Sequence, residues 1–439
     1  MKKTVITCVA TTIMATTSLE AQTKWSLDSC INYAIEHNLT VAARQLDRLS
    51  GDYDITEARD RFLPNLNASA SQSFNFGRGL TSENTYADRN TKNFQWGVSL
   101  DLPLFQGLSA TRQLKQAKIN LRSLVLQVES AKDDITLNVI SQYLQVLAYS
   151  EMLKTSEQQV ALSAYQLERQ QALADAGKIA EVDVVQARSQ LATDRQSVAD
   201  NQNNLTIALL DLAQLLNLPS PDGFELMPLD STEPVIRPAD EVYRSAMVSN
   251  HSILSARNDI EVAEAAVNVA RSGYLPRLSF NAGIGSSYYN ISGTENPSFS
   301  RQMRDNLNKY LGFSLSIPIF DAFSTRNSVR KAKVRGLNAA LQLRDRETAL
   351  YKEIQQAYYR ATGARQKYQT GLETEAAARE AFEAMKGKYE MGRSNPTEFE
   401  QAKTQYEQAV INRIQSHYEY ILRSRILDFY ASSNRLTAQ

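Results

Sequence analysis

Little in this chain favours catalysis or nucleic-acid binding. Basic and acidic residues balance at 48 each, so the basic footprint that nucleic-acid binding leaves is missing. The three histidines, His37, His251 and His417, stand isolated along the chain. There is no zinc-type His/Cys spacing, no Gly-rich phosphate loop and no nucleophile motif. That argues against an enzyme, a metal centre or a bound cofactor. Glycine and proline are sparse, at 17 and 11, as in mostly helical chains. Long apolar runs are also missing. Beyond the first residues no stretch of about 20 apolar residues occurs, as a membrane-spanning helix would need. The closest, at 207–218, is broken by Asp211, Gln214 and Asn217. A membrane could be crossed only by strands.

Residues 1–21 read as an export signal. Lys2 and Lys3 start it, an apolar stretch rich in Thr and Ala follows, and Ala21 offers a small residue before Gln22. Cleavage removes Cys8 and leaves Cys30, which cannot form an internal disulfide. Cys30 sits in an apolar-periodic helix and is expected to act as a small buried hydrophobe.

What the chain does have, it has twice. Phe62-Leu63-Pro64-Asn65-Leu66 returns as Tyr274-Leu275-Pro276-Arg277-Leu278. Leu100 to Phe105 returns as Leu315 to Phe320, and Gly177 with Gln186-Ala187 returns as Gly392 with Gln401-Ala402. The first pair of markers lies 212 residues apart and the later pairs 215. A long internal repeat means one structural unit used twice. The first unit is expected over 22–218, with a helix at 27–61, a strand hairpin at 64–105, a long helix at 109–175, a tip at 176–179 and a return helix at 180–217. A linker at 219–238 follows. The second unit takes 239–439, with a helix at 239–273, a hairpin at 276–320, a long helix at 323–390, a tip at 391–395 and a return helix from 396.

The strand segments alternate with period two. Phe94, Trp96, Val98, Leu100, Leu102 and Leu104 interleave with Gln95, Gly97, Ser99 and Asp101. Leu66, Ala68, Ala70, Phe74 and Phe76 form a second apolar set. Leu278, Phe280, Ala282 and Ile284 form a third, and Leu311, Phe313, Leu315, Ile317 and Ile319 a fourth. The other face is mostly Ser, Asn, Gln and Gly. This is the pattern of a barrel with lipid outside and water inside, although a soluble sheet with one wet face alternates in the same way. Phe74, Phe76, Trp96, Phe105, Tyr288, Tyr289, Tyr310 and Phe320 gather toward strand ends, as interface aromatics do. Four strands cannot close around a lumen, so copies must share one barrel. The polar loops 77–91 and 290–306 would face away from the cell.

Each long helix, roughly 65 residues, would run about 100 Å. The apolar stripe from Leu114 through Val146 is wide enough for a helix held between two neighbours. Gly177 and Gly392 stand where helices commonly end in a left-handed residue. Asn395, Pro396 and Glu398 make a helix start signal.

These residues resemble the outer-membrane efflux proteins of the TolC type. The opening Ser26-Leu27-Asp28, both Leu-Pro strand entrances, Pro103-Leu104-Phe105, Pro318-Ile319-Phe320-Asp321 and the two Gly-bearing tips carry the likeness. It covers nearly the whole mature chain. The resemblance implies a mainly α fold with a β-barrel portion: a homotrimer closing a 12-stranded barrel in outer-membrane lipid, above a periplasmic helical barrel. It implies docking to a periplasmic adaptor (membrane fusion) protein and an inner-membrane pump of the RND or ABC type. It implies an outer-membrane channel that is the exit duct of an efflux or secretion system. Matching from Gly392 puts the periplasmic gate on Glu398 and Gln401. A closed-state latch falls on Asp183, Tyr389 and Ser394, with Arg393 adjacent to the position where an arginine would serve. Adaptor docking falls on Gly177, Lys178, Ile179, Ala180, Gly392, Arg393 and Ser394. The competing reading is a soluble periplasmic coiled-coil scaffold or binding protein.

Overall fold

In a computed structural model, the structure describes residues 24–80, 84–220, 223–229 and 234–431. The expected export signal lies outside the described residues. The elements in order are α1 (Leu27–His37), α2 (Leu39–Asp60), β1 (Asn65–Asn75), β2 (Arg78–Leu80), β3 (Tyr86–Asp88), β4 (Thr91–Gln106), α3 (Ser109–Asp175) and α4 (Glu181–Leu215). Then come α5 (Ala239–Ser249), α6 (His251–Arg271), β5 (Arg277–Ile291), α7 (Phe299–Asp305), β6 (Asn308–Ser316), α8 (Ser324–Glu390) and α9 (Pro396–Ala431). The helices expected at 27–61 and 239–273 are each two helices. Asn38 and Asn250 break them with extended backbone. Asn250 Oδ1 accepts the Ile253 N–H at 3.2 Å, and Asn38 Oδ1 accepts the Thr40 N–H at 2.9 Å. Asparagine caps the helix that follows better than it continues the one before.

The described residues form two compact units, and each draws on both repeats. The first holds 24–42, 132–246 and 353–431, the second 43–131 and 247–352.

The second unit carries the sheet, in the order β1-β4-β5-β6, all antiparallel. Its register gathers the apolar alternation on one face. Leu66 lies opposite Leu100, Leu100 opposite Ala282, and Ala282 opposite Leu311. Leu102 meets Phe280, and Phe280 meets Phe313 with ring centroids 5.3 Å apart. The other face runs Asn67, Ser99, Gly283 and Tyr310 in one row, with Ser73, Asn93 and Tyr289 in another. Opposed residues share a face, so Tyr289 and Tyr310 belong to the polar side and not with the interface aromatics. A Cβ built on Gly283 would stand 2.6 Å from the Tyr310 ring. A glycine is what lets that ring lie flat on the sheet.

The two hairpins are in the same register. Leu66 opposite Leu100 becomes Leu278 opposite Leu315 in the second repeat. The strand-to-helix elbows repeat as well. Gly107 and Leu108 are left-handed, at φ 60° and 64°, and so are Ala322 and Phe323, at 52° and 61°.

Three further features differ from expectation. The fourth strand stops at Ser316, short of Ile319, because its partner β5 begins at Arg277, opposite Ser316. The 290–306 loop contains α7. Its Gln302 side chain receives the Tyr289 N–H and donates to the Tyr289 carbonyl, both at 3.0 Å, completing the β5 edge beyond the end of β6. The 77–91 loop contains the β2–β3 pair.

In this unit α3 packs closely on α2 and α6. Leu121 and Leu124 close over Gly51, where a Cβ would meet Leu124 at 2.5 Å. Asn258 donates to the Ile119 carbonyl at 2.8 Å, and Ser123 donates to Asp259 at 2.8 Å.

In the first unit Cys30, Ile31, Ala34 and Val41 pack with Val139, Ile140, Tyr143 and Leu144 of α3 and with Ala208, Leu212 and Leu216 of α4. Burial pushes the Cys30 thiol up to about 12, so it stays protonated and acts as a hydrophobe. Met227 donates to the Trp25 carbonyl at 2.9 Å, which ties the inter-repeat segment to the N-terminus. The buried Tyr143 hydroxyl sits between that carbonyl at 3.0 Å and the Met227 carbonyl at 2.6 Å. Tyr143→Phe takes this donor from the Met227 carbonyl, while the Trp25 carbonyl keeps the Met227 N–H. It is expected to cost about 1–2 kcal/mol, seen as a lowered Tm in detergent, while Tyr149→Phe serves as the control.

Candidate functional site

The two hairpin tips, α3–α4 and α8–α9, are built alike in the first unit. Gly177 and Gly392 both have φ of 69°. Their N–H groups donate to Ala174 O at 2.8 Å and to Tyr389 O at 3.0 Å. The next residues, Lys178 and Arg393, donate to Leu173 O at 2.9 Å and to Lys388 O at 2.8 Å. This paired closure satisfies the last carbonyls of each long helix and requires a left-handed residue. Gly177, Lys178, Ala180, Gly392 and Arg393 are exposed, and Ile179 and Ser394 are half-buried.

The start of α9 follows from its sequence. Asn395 Oδ1 accepts the Glu398 N–H at 2.8 Å, and Pro396 occupies the first helical position. Ser394 Oγ donates to Glu398 Oε2 at 2.7 Å. The carboxylate is thereby held over the first turn, where the helix dipole favours it. Glu398 and Gln401 are both exposed, three residues apart and so on one side of the helix.

Beneath them lies an aromatic layer. The buried Phe399 stacks on Tyr389 at 4.7 Å and meets Phe382 at 5.8 Å. The Tyr389 hydroxyl accepts from the Gln170 side chain. The Arg169 guanidinium lies 5.3 Å from the Tyr389 ring centre and donates to the Glu390 carbonyl at 3.1 Å. Burial first, then Glu400 and Asp183, push the Tyr389 phenol upward against the pull of Arg169. Among the described residues no hydrogen bond joins Asp183 to Tyr389 or Ser394. Tyr389 turns to Gln170, and Ser394 turns to Glu398.

Sequence reading missed Gln170 and Arg169, whose polar pattern along α3 gives no sign of a partner on α8. It also missed a buried ionic junction centred on Lys403. The only signal there was a lysine with Glu400 three residues before it and Glu407 four after. Among the described residues no three His, Cys, Asp or Glu side chains gather closely enough to hold a metal ion. No helix there is long and apolar enough to cross a membrane.

The family model for outer membrane efflux proteins matches twice, at residues 30–218 and 242–430. One model therefore fits each repeat. Among similar proteins is outer membrane protein TolC of Escherichia coli, 24% identical over 382 residues, covering 86% of this chain and 76% of TolC. The fold is similar to a membrane protein from Pseudomonas aeruginosa, with a TM-score of 0.76, 18% identity, and 95% and 93% of the two chains covered. It is also similar to the Campylobacter jejuni CmeC outer membrane channel, with a TM-score of 0.75, 16% identity, and 92% and 85% covered. The chain belongs to the outer membrane efflux protein family.

Proposed function

We propose that this chain is the outer-membrane exit duct of a multicomponent efflux or secretion system, with three copies forming one channel. The sheet carries this reading. Its apolar face is bare, with Leu66 69% exposed, Leu311 76% and Phe313 70%, which suits lipid and not water. Its polar face suits a wet lumen. Both β1 and β6 leave backbone groups unpaired, which a bilayer does not tolerate. Pairing β6 of one copy with β1 of the next removes both edges, and three copies give the twelve strands that the family resemblance implies. The competing soluble scaffold leaves the apolar face and the edges unexplained. It is tested by extraction. The chain is expected to sediment with outer membranes and to need detergent, and release by osmotic shock alone would favour the scaffold.

The repeat supplies the register between copies. Within the chain, the second strand of repeat one pairs with the first strand of repeat two, with Leu100 opposite Ala282 and Trp96 opposite Ser286. The same relation between copies puts Leu315 opposite Ala70 and Leu311 opposite Phe74. The helices follow suit. Asn258 meets Ile119 within the chain, and the equivalent residues Leu46 and Val334 are 66% and 64% exposed. In the assembled trimer they cover each other. With Ala70→Cys and Leu315→Cys in one chain, copies are expected to link into covalent trimers on non-reducing gels. Ala70→Cys with Ser314→Cys should not link, because a one-residue slip turns the side chain to the other face.

The tips supply the gate and the docking points. Three copies of Glu398 and Gln401 would ring the narrow end, and the carboxylates would favour cations. The exposed turns 177–180 and 392–394 would meet a periplasmic adaptor, with an inner-membrane pump below. Asp183 and Tyr389 act on the closed state through the charge and ring packing described above. Tyr389→Phe, which keeps the Phe399 stack and loses the Gln170 bond, is expected to raise closed-state conductance in planar bilayers. Asp183→Ala is expected to do the same. Unchanged conductance in both would remove this part of the reading.

A further inference from the structure

One lysine in this structure is almost wholly enclosed. Lys403 on α9 is 1% exposed. Its Nζ lies 2.9 Å from Asp194 Oδ2 on α4 and 2.6 Å from Ser163 Oγ on α3. The Ser163 hydroxyl also donates to Asp194, and Gln190 Nε2 donates to the other Asp194 oxygen at 2.9 Å. Asp194 and Ser163 are themselves buried, at 5% and 3% exposed. Two more carboxylates crowd the ammonium, Glu407 at 3.5 Å and Glu400 at 3.9 Å. Glu400 Oε2 and Glu407 Oε1 are buried without a hydrogen-bond partner.

We propose that the Lys403–Asp194–Ser163 junction is the clasp that holds hairpin α8–α9 against hairpin α3–α4, and that it must release for the duct to open. This rests on the reading of the tips as the gate. Packing alone gives no reason for the lysine. A buried ion pair loses so much hydration that apolar residues of similar volume often stabilise as well or better. What an ion pair adds is direction: it defines one arrangement of three helices, and separating them leaves a bare charge in the core. Lys403 lies two turns inside α9, beyond the Phe399 layer, so its release frees the segment that carries Glu398 and Gln401. The tip itself offers few alternatives. Ser394 bonds within its own hairpin, and among the described residues the hydrogen bonds between hairpins at the tip are those of Gln170 and Arg169 with Tyr389 and Glu390.

The surplus carboxylates make this clasp sensitive to protons. Burial pushes the Glu407 carboxyl up to about 7 from an ordinary 4.5, against the attraction of Lys403 and with Asp194 and Glu400 adding to the rise. Glu400 is raised for the same reason, burial first. The groups that face this pair are Lys403 beside them on α9 and Asp194 from α4. Farther out, Tyr389 on α8 stands near Glu400, with Arg169 from α3 and Asp183 from α4 beyond it. An acid whose value is raised in the closed form and ordinary once exposed favours the closed form at low pH. That preference is lost as pH rises from about 4.5 to about 7.

The test is conductance of purified full-length channels in planar bilayers. Lys403→Met and, separately, Asp194→Asn are expected to raise mean conductance several-fold at neutral pH. Lys403→Asp combined with Asp194→Lys should return it to within about twofold of the parent. Asp194→Asn keeps the volume and one acceptor oxygen while removing the charge, so it reports even where Lys403→Met fails to assemble. Parent conductance should rise with pH up to about 7 and level off, and Glu407→Gln should flatten that profile. Parent-level conductance in assembled Lys403→Met or Asp194→Asn channels overturns the clasp. So does a swapped pair that stays as leaky as the single variants. A parent chain that inserts and conducts nothing in any variant or at any pH overturns instead the duct reading beneath it.

Discussion

The constraint behind the rest of this structure is the backbone of a four-stranded sheet with two open edges. Alternate residues along each edge present an N–H and a C=O that hydrocarbon cannot satisfy. The sheet is also one-sided, with aliphatic and aromatic rows on one face and Ser, Asn and Gly rows on the other. A single chain has no means to cover the first face or close the edges. The early end of β6 belongs to the same constraint. Its continuation through Pro318 and Phe320 has no strand opposite it within the chain, and in the proposed trimer the open edge of the next copy's β1 would supply one.

The repeat turns that constraint into a regular solution. Both hairpins keep one register, both strand-to-helix elbows use two successive left-handed residues, and both tips close with a glycine at the same φ. Conserving the elbow has a cost, because Leu108, Ala322 and Phe323 all adopt a region that disfavours a Cβ. The cost is accepted in both halves because the elbow turns each strand into a helix of 67 residues. Because the units are alike, a seam between repeats inside the chain can serve again as a seam between copies.

The helical hairpins work by different physics. Their apolar packing holds them together without choosing among nearby arrangements, since a helix can slide or rotate over an aliphatic stripe at small cost. The polar contacts between hairpins do the choosing: Gln170 with Tyr389, Arg169 with Glu390, and Lys403 with Asp194 and Ser163. The aromatic layer of Phe382, Tyr389 and Phe399 lies between the exposed tips and the buried charge. A duct that must seal and open needs contacts that are specific when made and separable when broken, and partly buried charge has both properties.

The sequence by itself determined the elements and their order. Period-two alternation marked the strands, because successive side chains point to opposite faces of a sheet. Unbroken helical patterning marked α3 and α8, and Gly177 and Gly392 marked the turns, because only the local chain bears on those conformations. Asn38 and Asn250 carry a local signal as well, since asparagine favours the start of a helix over its interior. Only the tertiary structure decided which side chains meet. A helix turns by 100° per residue, so a slip of one or two positions redirects a side chain to another neighbour. That is why Tyr389 on α8 turns to Gln170 on α3. Tyr310 moved to the polar face for the analogous reason in a sheet, where one residue of register decides the side. Lys403 was the least legible of all, since its partners lie more than 200 positions away on two other helices and its burial exists only once all three have packed.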